Sequence, residues 1–323
     1  MPDYACSNQI RKNIIKMNTL KLSKEELINL YNTDLDKLLK KASEYVGDEI
    51  EFCSIVNARN GKCSQNCKYC AQSSYYRTDI ETYPLMPADK VIDAAIEAKS
   101  FGADRFSIVT SGKNPAEEDF DKVVNLIEEL NKVDGVKSCA SIGILDEEMA
   151  QKLAKSGLKR FHHNINTCRS YYPEVCTTHT YEDRINTCKL VKKYGMELCC
   201  GVILGMGETV EQRIEMAMEL AEIEPDSIPI NILMPIPQTP FENYHDKIDE
   251  ENILRTLAVF KIANPKAVLR FCGGRMRLSE ENQEKALKTC VEGILIGNYL
   301  TTTGKSPVED IKTVKKLGKI LKK

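Results

Sequence analysis

The stretch Glu51-Phe52-Cys53-Ser54-Ile55-Val56-Asn57 is followed, a few residues on, by Cys63-Ser64-Gln65-Asn66-Cys67-Lys68-Tyr69-Cys70 and then Ala71-Gln72-Ser73-Ser74. The first run reads as a β-strand, and the thiol-bearing run as a loop at its carboxyl end. Apolar or alternating runs recur near 49–57, 104–109, 136–142, 159–165, 197–204, 227–233, 267–272 and 293–298. Between them lie charged, helix-length periodic segments at 88–99, 120–132, 146–155, 182–194, 210–223 and 250–263. Eight strands alternating with helices is the count of an α/β fold of the TIM type, a (β/α)8 barrel; an open doubly wound sheet is the competing arrangement. Glycines after Phe101, Ser156 and Tyr194 supply helix stops before the next strand.

The 323 residues accommodate one barrel of about 250 residues with extensions at both ends. The sequence divides into an N-terminal helical extension (1–47), a barrel (48–300) and a C-terminal tail and helix (301–323), all within a single domain. Ser23 and Glu26 fit a capping box that opens the N-terminal helices. The net charge of −2, with acids and bases intermixed, gives no polycationic signature for nucleic acid or an anionic membrane. No apolar run reaches the roughly 18 residues of a membrane span. Met1-Pro2-Asp3-Tyr4 lacks a basic-then-apolar leader, so a cytoplasmic location is expected. Thirteen cysteines fall short of the roughly 8–10% that marks a disulfide scaffold, and in a reducing compartment they point to metal or sulfur chemistry.

The C-x3-C-x2-C spacing of Cys63, Cys67 and Cys70 suits a [4Fe–4S] cluster with three protein thiolates, leaving one iron open. A zinc site is the alternative, but it needs a fourth Cys or His at matching spacing; three unrelated thiols are the other. Cys139 falls in strand three, Cys199 and Cys200 in strand five, and Cys272 in strand seven, two residues after Arg270. Alternate strands of a barrel fill one interior layer, so Cys139, Cys199 and Cys272 are expected together inside, with Arg270 nearby. Cys199 and Cys200 diverge unless the strand is kinked, and ordinary core cysteines remain the bland reading. Cys168, Cys176, Cys188 and Cys290 read as small buried hydrophobes or loop residues, and Cys6 lies in a polar segment that decides nothing. Asn57, Asn164, Asn166 and Asn231 sit at or near strand ends, where carboxamides can match a neutral ligand such as a cyclic urea or simply tie down loops. His162 and His163 are adjacent in a strand and face opposite sides, which argues against a shared metal.

Taken together, these stretches resemble the biotin synthases, a branch of the radical S-adenosylmethionine (SAM) enzymes. The matching segments are Cys63 to Ser74, Lys113-Asn114-Pro115, His163-Asn164-Ile165-Asn166-Thr167, Thr177-Thr178-His179-Thr180-Tyr181, Gly205-Met206-Gly207-Glu208-Thr209 and Ser227-Ile228-Pro229-Ile230-Asn231. The resemblance implies radical insertion of sulfur into dethiobiotin, a homodimer, and an electron donor such as flavodoxin or ferredoxin. It implies that Cys63, Cys67 and Cys70 hold the [4Fe–4S] cluster, with SAM on the open iron. Tyr69, Asn164, Asn166, Ile203 and Glu208 then match cofactor contacts, and Asn57, Asn164 and Asn231 match substrate-side positions. Asn166 stands where the family commonly has aspartate. The sulfur-donating auxiliary cluster is the larger departure. The best-known form uses three cysteines and an arginine; here Cys139, Cys199 and Arg270 match, while Ser107 replaces the strand-two cysteine and Cys200 and Cys272 are added. Serine is a poor iron ligand beside thiolate. The expectation is therefore a rearranged, four-iron auxiliary cluster on Cys139, Cys199, Cys272 and Cys200, with Arg270 as a catalytic hydrogen-bond donor beside it. Two alternatives stay open: a related radical SAM barrel acting as a carbon-skeleton mutase or metal-cluster maturase, and a non-enzymatic thiol-rich metal-binding module.

Overall fold

The computed structural model describes residues 22–115, 117–297 and 304–322; Cys6 and the 1–21 and 301–303 portions of the anticipated extensions lie outside them. The staves are β1 (Glu49–Arg59), β2 (Arg105–Thr110), β3 (Lys137–Ser141), β4 (Arg160–His162), β5 (Glu197–Cys199), β6 (Val202–Leu204), β7 (Ser227–Ile232), β8 (Val268–Phe271) and β9 (Gly293–Leu295). They run parallel, and β9 pairs back onto β1 through Glu51↔Gly293, Phe52↔Ile294 and Cys53↔Leu295. That pairing closes the cylinder and rules out the open sheet. A further short strand, β10 (Ile320–Leu321), adds to β1 at Glu49 and Ile50.

The anticipated fifth strand is two pieces. β5 meets β7 at Cys199↔Ser227, and β6 meets it at Val202↔Ile230, with Cys200 and Gly201 forming the break between them. At Gly201 a Cβ would lie 1.9 Å from the carbonyl oxygen of Pro229, so only glycine lets the chain turn there against β7. The capping box is present: Ser23 Oγ accepts from the Glu26 N–H, and a Glu26 carboxylate oxygen accepts from the Ser23 N–H. Helices Lys24–Tyr31 and Leu35–Ser43 pack against helix Glu250–Ala263, where the Tyr31 hydroxyl donates to Asn252 Oδ1 at 2.5 Å while accepting from Arg213 of helix Val210–Ile223 at 3.0 Å. Among the described residues no helix is long and apolar enough to cross a membrane.

Strand alternation sorts the core into two regions. Ile50, Phe52, Phe106, Ile108, Phe161, Leu198, Leu269 and Ile294 point outward and are buried under the helices. Each such side chain contributes about 1.5–3 kcal/mol of burial. The inward face of β1 is Glu51, Cys53, Ile55 and Asn57, and its neighbours offer Arg105 and Ser107 on β2, Cys139 on β3, Arg160 on β4 and Arg270 on β8. Barrel interiors are usually filled with Val, Ile and Leu. A lumen of thiols and guanidiniums instead marks where the chemistry is.

Candidate functional site

The mouth of the barrel is a cavity of about 330 Å³ lined by Cys63, Cys67, Cys70, Tyr69, His162, Asn164, Asn166, Arg184, Ile203 and Asn231, among others. The thiol loop is built by its own backbone. Cys63 N–H donates to the Gln72 carbonyl (2.9 Å), Ser74 N–H to that of Cys63 (2.8 Å) and Cys70 N–H to that of Cys67 (3.0 Å). Ser73 Oγ donates to the Gln65 carbonyl at 2.5 Å, so the Ala71–Ser74 tail folds back over the loop. Burial pushes the Cys70 thiol up to about 11.

Asn166 holds a left-handed φ of +68°. From there its Nδ2 donates to the Tyr69 hydroxyl at 2.8 Å, tying β4's exit to the thiol loop. Asn164 Oδ1 accepts from the Gly201 N–H (3.0 Å), and Asn231 spans from the Val202 carbonyl (3.3 Å) to the Gly273 N–H (3.1 Å). Both carboxamides line the cavity while pinning loops, so the two readings of these residues are not exclusive. Glu208 behaves differently from the expected cofactor contact. It is buried, and its two carboxylate oxygens accept the N–H groups of Gly205 and Met206, each at 2.8 Å. Burial raises its pKa against those bonds. It acts on the mouth through the shape of the Gly205–Gly207 turn. Glu208→Ala leaves two buried amides without partners, at about 1–3 kcal/mol each, and should lower the melting temperature by several degrees in a thermal scan. Asn57 sits on the inward face of β1; the hydroxyl of Tyr83 donates to its carbonyl at 2.8 Å.

Below the mouth lies a second set of groups. Cys53, Cys139, Cys199 and Cys272 are all buried; Cys53 and Cys199 both bear electrostatically on Cys139 and on Cys272, and neighbouring arginines act on all four. Cys53 and Cys272 pack together with Leu295 against Ile55. Burial keeps all four thiols neutral, with Cys139 pushed up to about 12 against the pull of Arg160 and Arg105. Cys200 does not join them. Its Sγ lies in the outer core, 3.9 Å from Cys188 Sγ of helix Tyr181–Lys193: the two consecutive side chains diverge as strand alternation requires, and the break after β5 does not bring them together. Cys53 fills the place expected of Cys200. Sequence reasoning missed it, although counting back by twos from Asn57 puts it on the inward face.

The floor is ionic. Glu51 Oε1 accepts from Arg160 Nη1 (2.9 Å) and from Arg270 Nη2, and Oε2 accepts from Arg105 Nε (3.1 Å). Glu197 takes the other edges of Arg105 and Arg160, at 3.0 and 2.7 Å. Burial opposes ionisation of Glu51, yet Arg270, Arg160 and Arg105 together hold it far below the usual carboxylate range. Three guanidiniums and the Lys322 ammonium, 3.6 Å from Glu51 Oε2, against two carboxylates leave a positive surplus under the thiols. Arg270 Nη1, Arg105 Nη1 and Ser107 Oγ are buried there without a hydrogen-bond partner. Above them, His162 lines the mouth cavity with its Nε2 also unpartnered. Burial, and then Arg160 and Arg270, lower its pKa well below normal, so it is neutral imidazole. His163, one residue past the end of β4, stacks on Phe161 yet lines the same cavity, so the strict alternation expected of the two histidines stops at the strand's end.

A closed parallel barrel with three thiols on one loop at the carboxyl ends of its strands places the chain in the radical SAM class. A family model described as the Radical SAM superfamily matches residues 59–221, and one described as the Biotin and Thiamin Synthesis associated domain matches 229–320. The junction falls just before or within β7, inside one continuous sheet. Proteins named biotin synthase from Acetivibrio thermocellus and Clostridium perfringens are 48% and 42% identical, over 88% and 94% of this chain and 87% and 95% of theirs. The chain belongs to the biotin synthase family. Among solved structures, a methylornithine synthase (TM-score 0.81, 15% identity, 98% of this chain and 97% of that one) and an [FeFe]-hydrogenase maturase (0.81, 17%, 98% and 75%) share the fold.

Proposed function

We propose that this chain converts dethiobiotin to biotin by radical insertion of sulfur, with Cys63, Cys67 and Cys70 holding a [4Fe–4S] cluster and Cys53, Cys139, Cys199 and Cys272 an auxiliary four-iron cluster. The observation that carries the reading is the second thiol group under the mouth, with unpartnered guanidinium N–H groups of Arg270 and Arg105 buried beside it. Its donor set fits an iron–sulfur cluster: four thiols suit soft iron sites, and orphaned cationic N–H groups suit the anionic charge such a group carries. The mouth fits a cluster too, since three thiols line one cavity and, among the described residues, no further thiol lines it. When bound, the mouth cluster and SAM supply a 5′-deoxyadenosyl radical, and the auxiliary cluster supplies sulfur.

The chain's own residues position and exclude. Tyr69 and Asn166, joined by their hydrogen bond, form one wall for the nucleoside end of SAM with Ile203. Asn164 and Asn231, anchored by loop amides, present the remaining carboxamide capacity to a ureido ring. Neutral His162 separates the two levels without adding a charge or a mobile proton. Glu208 fixes the turn that completes the mouth. Arg270, held on Glu51, directs its free Nη1 toward the thiols as a hydrogen-bond donor. A flavodoxin- or ferredoxin-type reductant and a homodimer accompany this reading.

Anaerobic reconstitution followed by incubation with SAM, reductant and dethiobiotin tests it: biotin, or a thiol-bearing intermediate, is the expected product. SAM cleavage without any sulfur-bearing product, with both clusters intact, would point to a mutase or maturase instead. Iron analysis should give about eight irons per chain; about six, as a four-iron plus a two-iron cluster, would contradict the auxiliary assignment. Tyr69→Phe removes one hydrogen bond worth about 1 kcal/mol and should raise the KM for SAM by roughly fivefold, with the auxiliary irons unchanged.

A further inference from the structure

Cys176 and His179 flank Thr177-Thr178, and the reaction above makes no use of either. Asn66 Oδ1 accepts from the N–H groups of Thr177 (3.0 Å) and Thr178 (3.2 Å), and Lys68 N–H donates to the Val175 carbonyl (3.0 Å). These bonds hold the loop 66–68 against residues 175–178, and Cys67 lies beside Cys176 there. The two Sγ atoms are 3.6 Å apart.

The imidazole beside them completes a thiol-exchange pair. Arg184 Nη2 lies 2.9 Å from His179 Nε2, and a guanidinium can only donate, so Nε2 is the acceptor and Nδ1 carries the proton. That N–H points at Cys176 Sγ (3.2 Å) and Gln65 Oε1 (2.9 Å). The three ligand atoms of Cys67, Cys176 and His179 lie within 4.8 Å of one another, but a protonated Nδ1 has no lone pair for a metal. It stabilises a sulfur anion instead.

We propose that Cys67 and Cys176 form a reversible disulfide in the cluster-free chain, exchanging with low-molecular-weight disulfides. Cys67 lines the open cavity; its proton passes to the Cys176 sulfur to which it donates and on to the departing small thiolate, while the Cys67 thiolate attacks one sulfur of the small disulfide, releasing one small thiol and forming a mixed disulfide. Cys176, held by His179, then attacks the Cys67 sulfur and releases the second small thiol. Two cysteine thiols are oxidised by two electrons, and one small disulfide is reduced to two thiols that carry away both protons. The link and a cluster on Cys67 exclude each other, so the disulfide shelters a ligand sulfur from irreversible oxidation until reduction and iron restore it.

The full chain, stripped of iron anaerobically, is exposed to hydroxyethyl disulfide, alkylated and mapped by peptide mass spectrometry. The expected result is a dominant Cys67–Cys176 linked pair, reversed by a dithiol, lost in both Cys176→Ser and Cys176→Ala, and absent from iron-loaded protein. Pairing among Cys63, Cys67 and Cys70, mixed disulfides alone, or equal linkage in loaded protein would overturn it. The protective consequence rests on Cys67 being a cluster ligand, which is read separately from the iron lost in Cys67→Ala.

Discussion

Cys53→Ala is expected to strip the auxiliary irons while sparing the mouth: from about eight irons per chain to about four, with SAM still cleaved and biotin formation down to background. The change removes one small buried side chain from the lumen, so the fold should survive and the loss should be one of ligation. Cys200→Ala is the matched control. Its thiol meets Cys188 in the outer core, and its removal should cost on the order of 1 kcal/mol of stability and leave the iron content unchanged. Mössbauer spectra and iron counts on both variants check the pair of outcomes. If Cys200→Ala loses iron and Cys53→Ala keeps it, the four-thiol assignment falls.

Glu51→Gln should be the most destabilising single exchange in the floor. It leaves Arg160 and Arg105 with only the half-exposed Glu197 and Arg270 with no carboxylate at all, and breaking such a buried pairing costs about 3–5 kcal/mol. The melting temperature should fall on the order of 10 °C. The pH dependence has a definite sign. A carboxylate whose folded pKa is depressed contributes stability in full above its unfolded value, about 4.3 for Glu, and loses it as pH falls toward the folded value. Wild type and Glu51→Gln should therefore differ by a constant amount from about pH 8 to 5 and converge below about pH 4. Denaturant titrations across that range measure it, and a gap that stays constant down to pH 2 would show that Glu51 is not the paired carboxylate.

The alternation of strand-like and helical periods was enough to find the eight staves, because those periods are set by local geometry. The capping box at Ser23 and the mouth thiols at Cys63, Cys67 and Cys70 were legible for the same reason: each is a short-range pattern. The lumen was only half legible. Cys139, Cys199, Cys272 and Arg270 could be grouped from strand order, whereas the choice between Cys53 and Cys200 depended on side-chain parity and on a break at Gly201. That break is dictated by the Pro229 carbonyl on another strand, which no local pattern reveals. The convergence of Arg105, Arg160 and Arg270 on Glu51 was hidden because it joins four strands, and the Cys67–Cys176 approach because it joins two loops.

The seam between β1 and β9 also bears on the order of assembly. Cys53 belongs to the first stave and pairs across that seam with Leu295, so its cage neighbours come together only after the longest loop closures in the barrel. Contacts of such high sequence separation form late, since their entropic cost must be met before they contribute. The cage thus matures as a product of complete folding: a nascent or partly folded chain displays the mouth thiols on one local loop long before it can present four converging sulfurs below. On the proposed ligand assignment, iron offered during synthesis would meet the outer site first, and the inner one would stay unformed until the cylinder shuts.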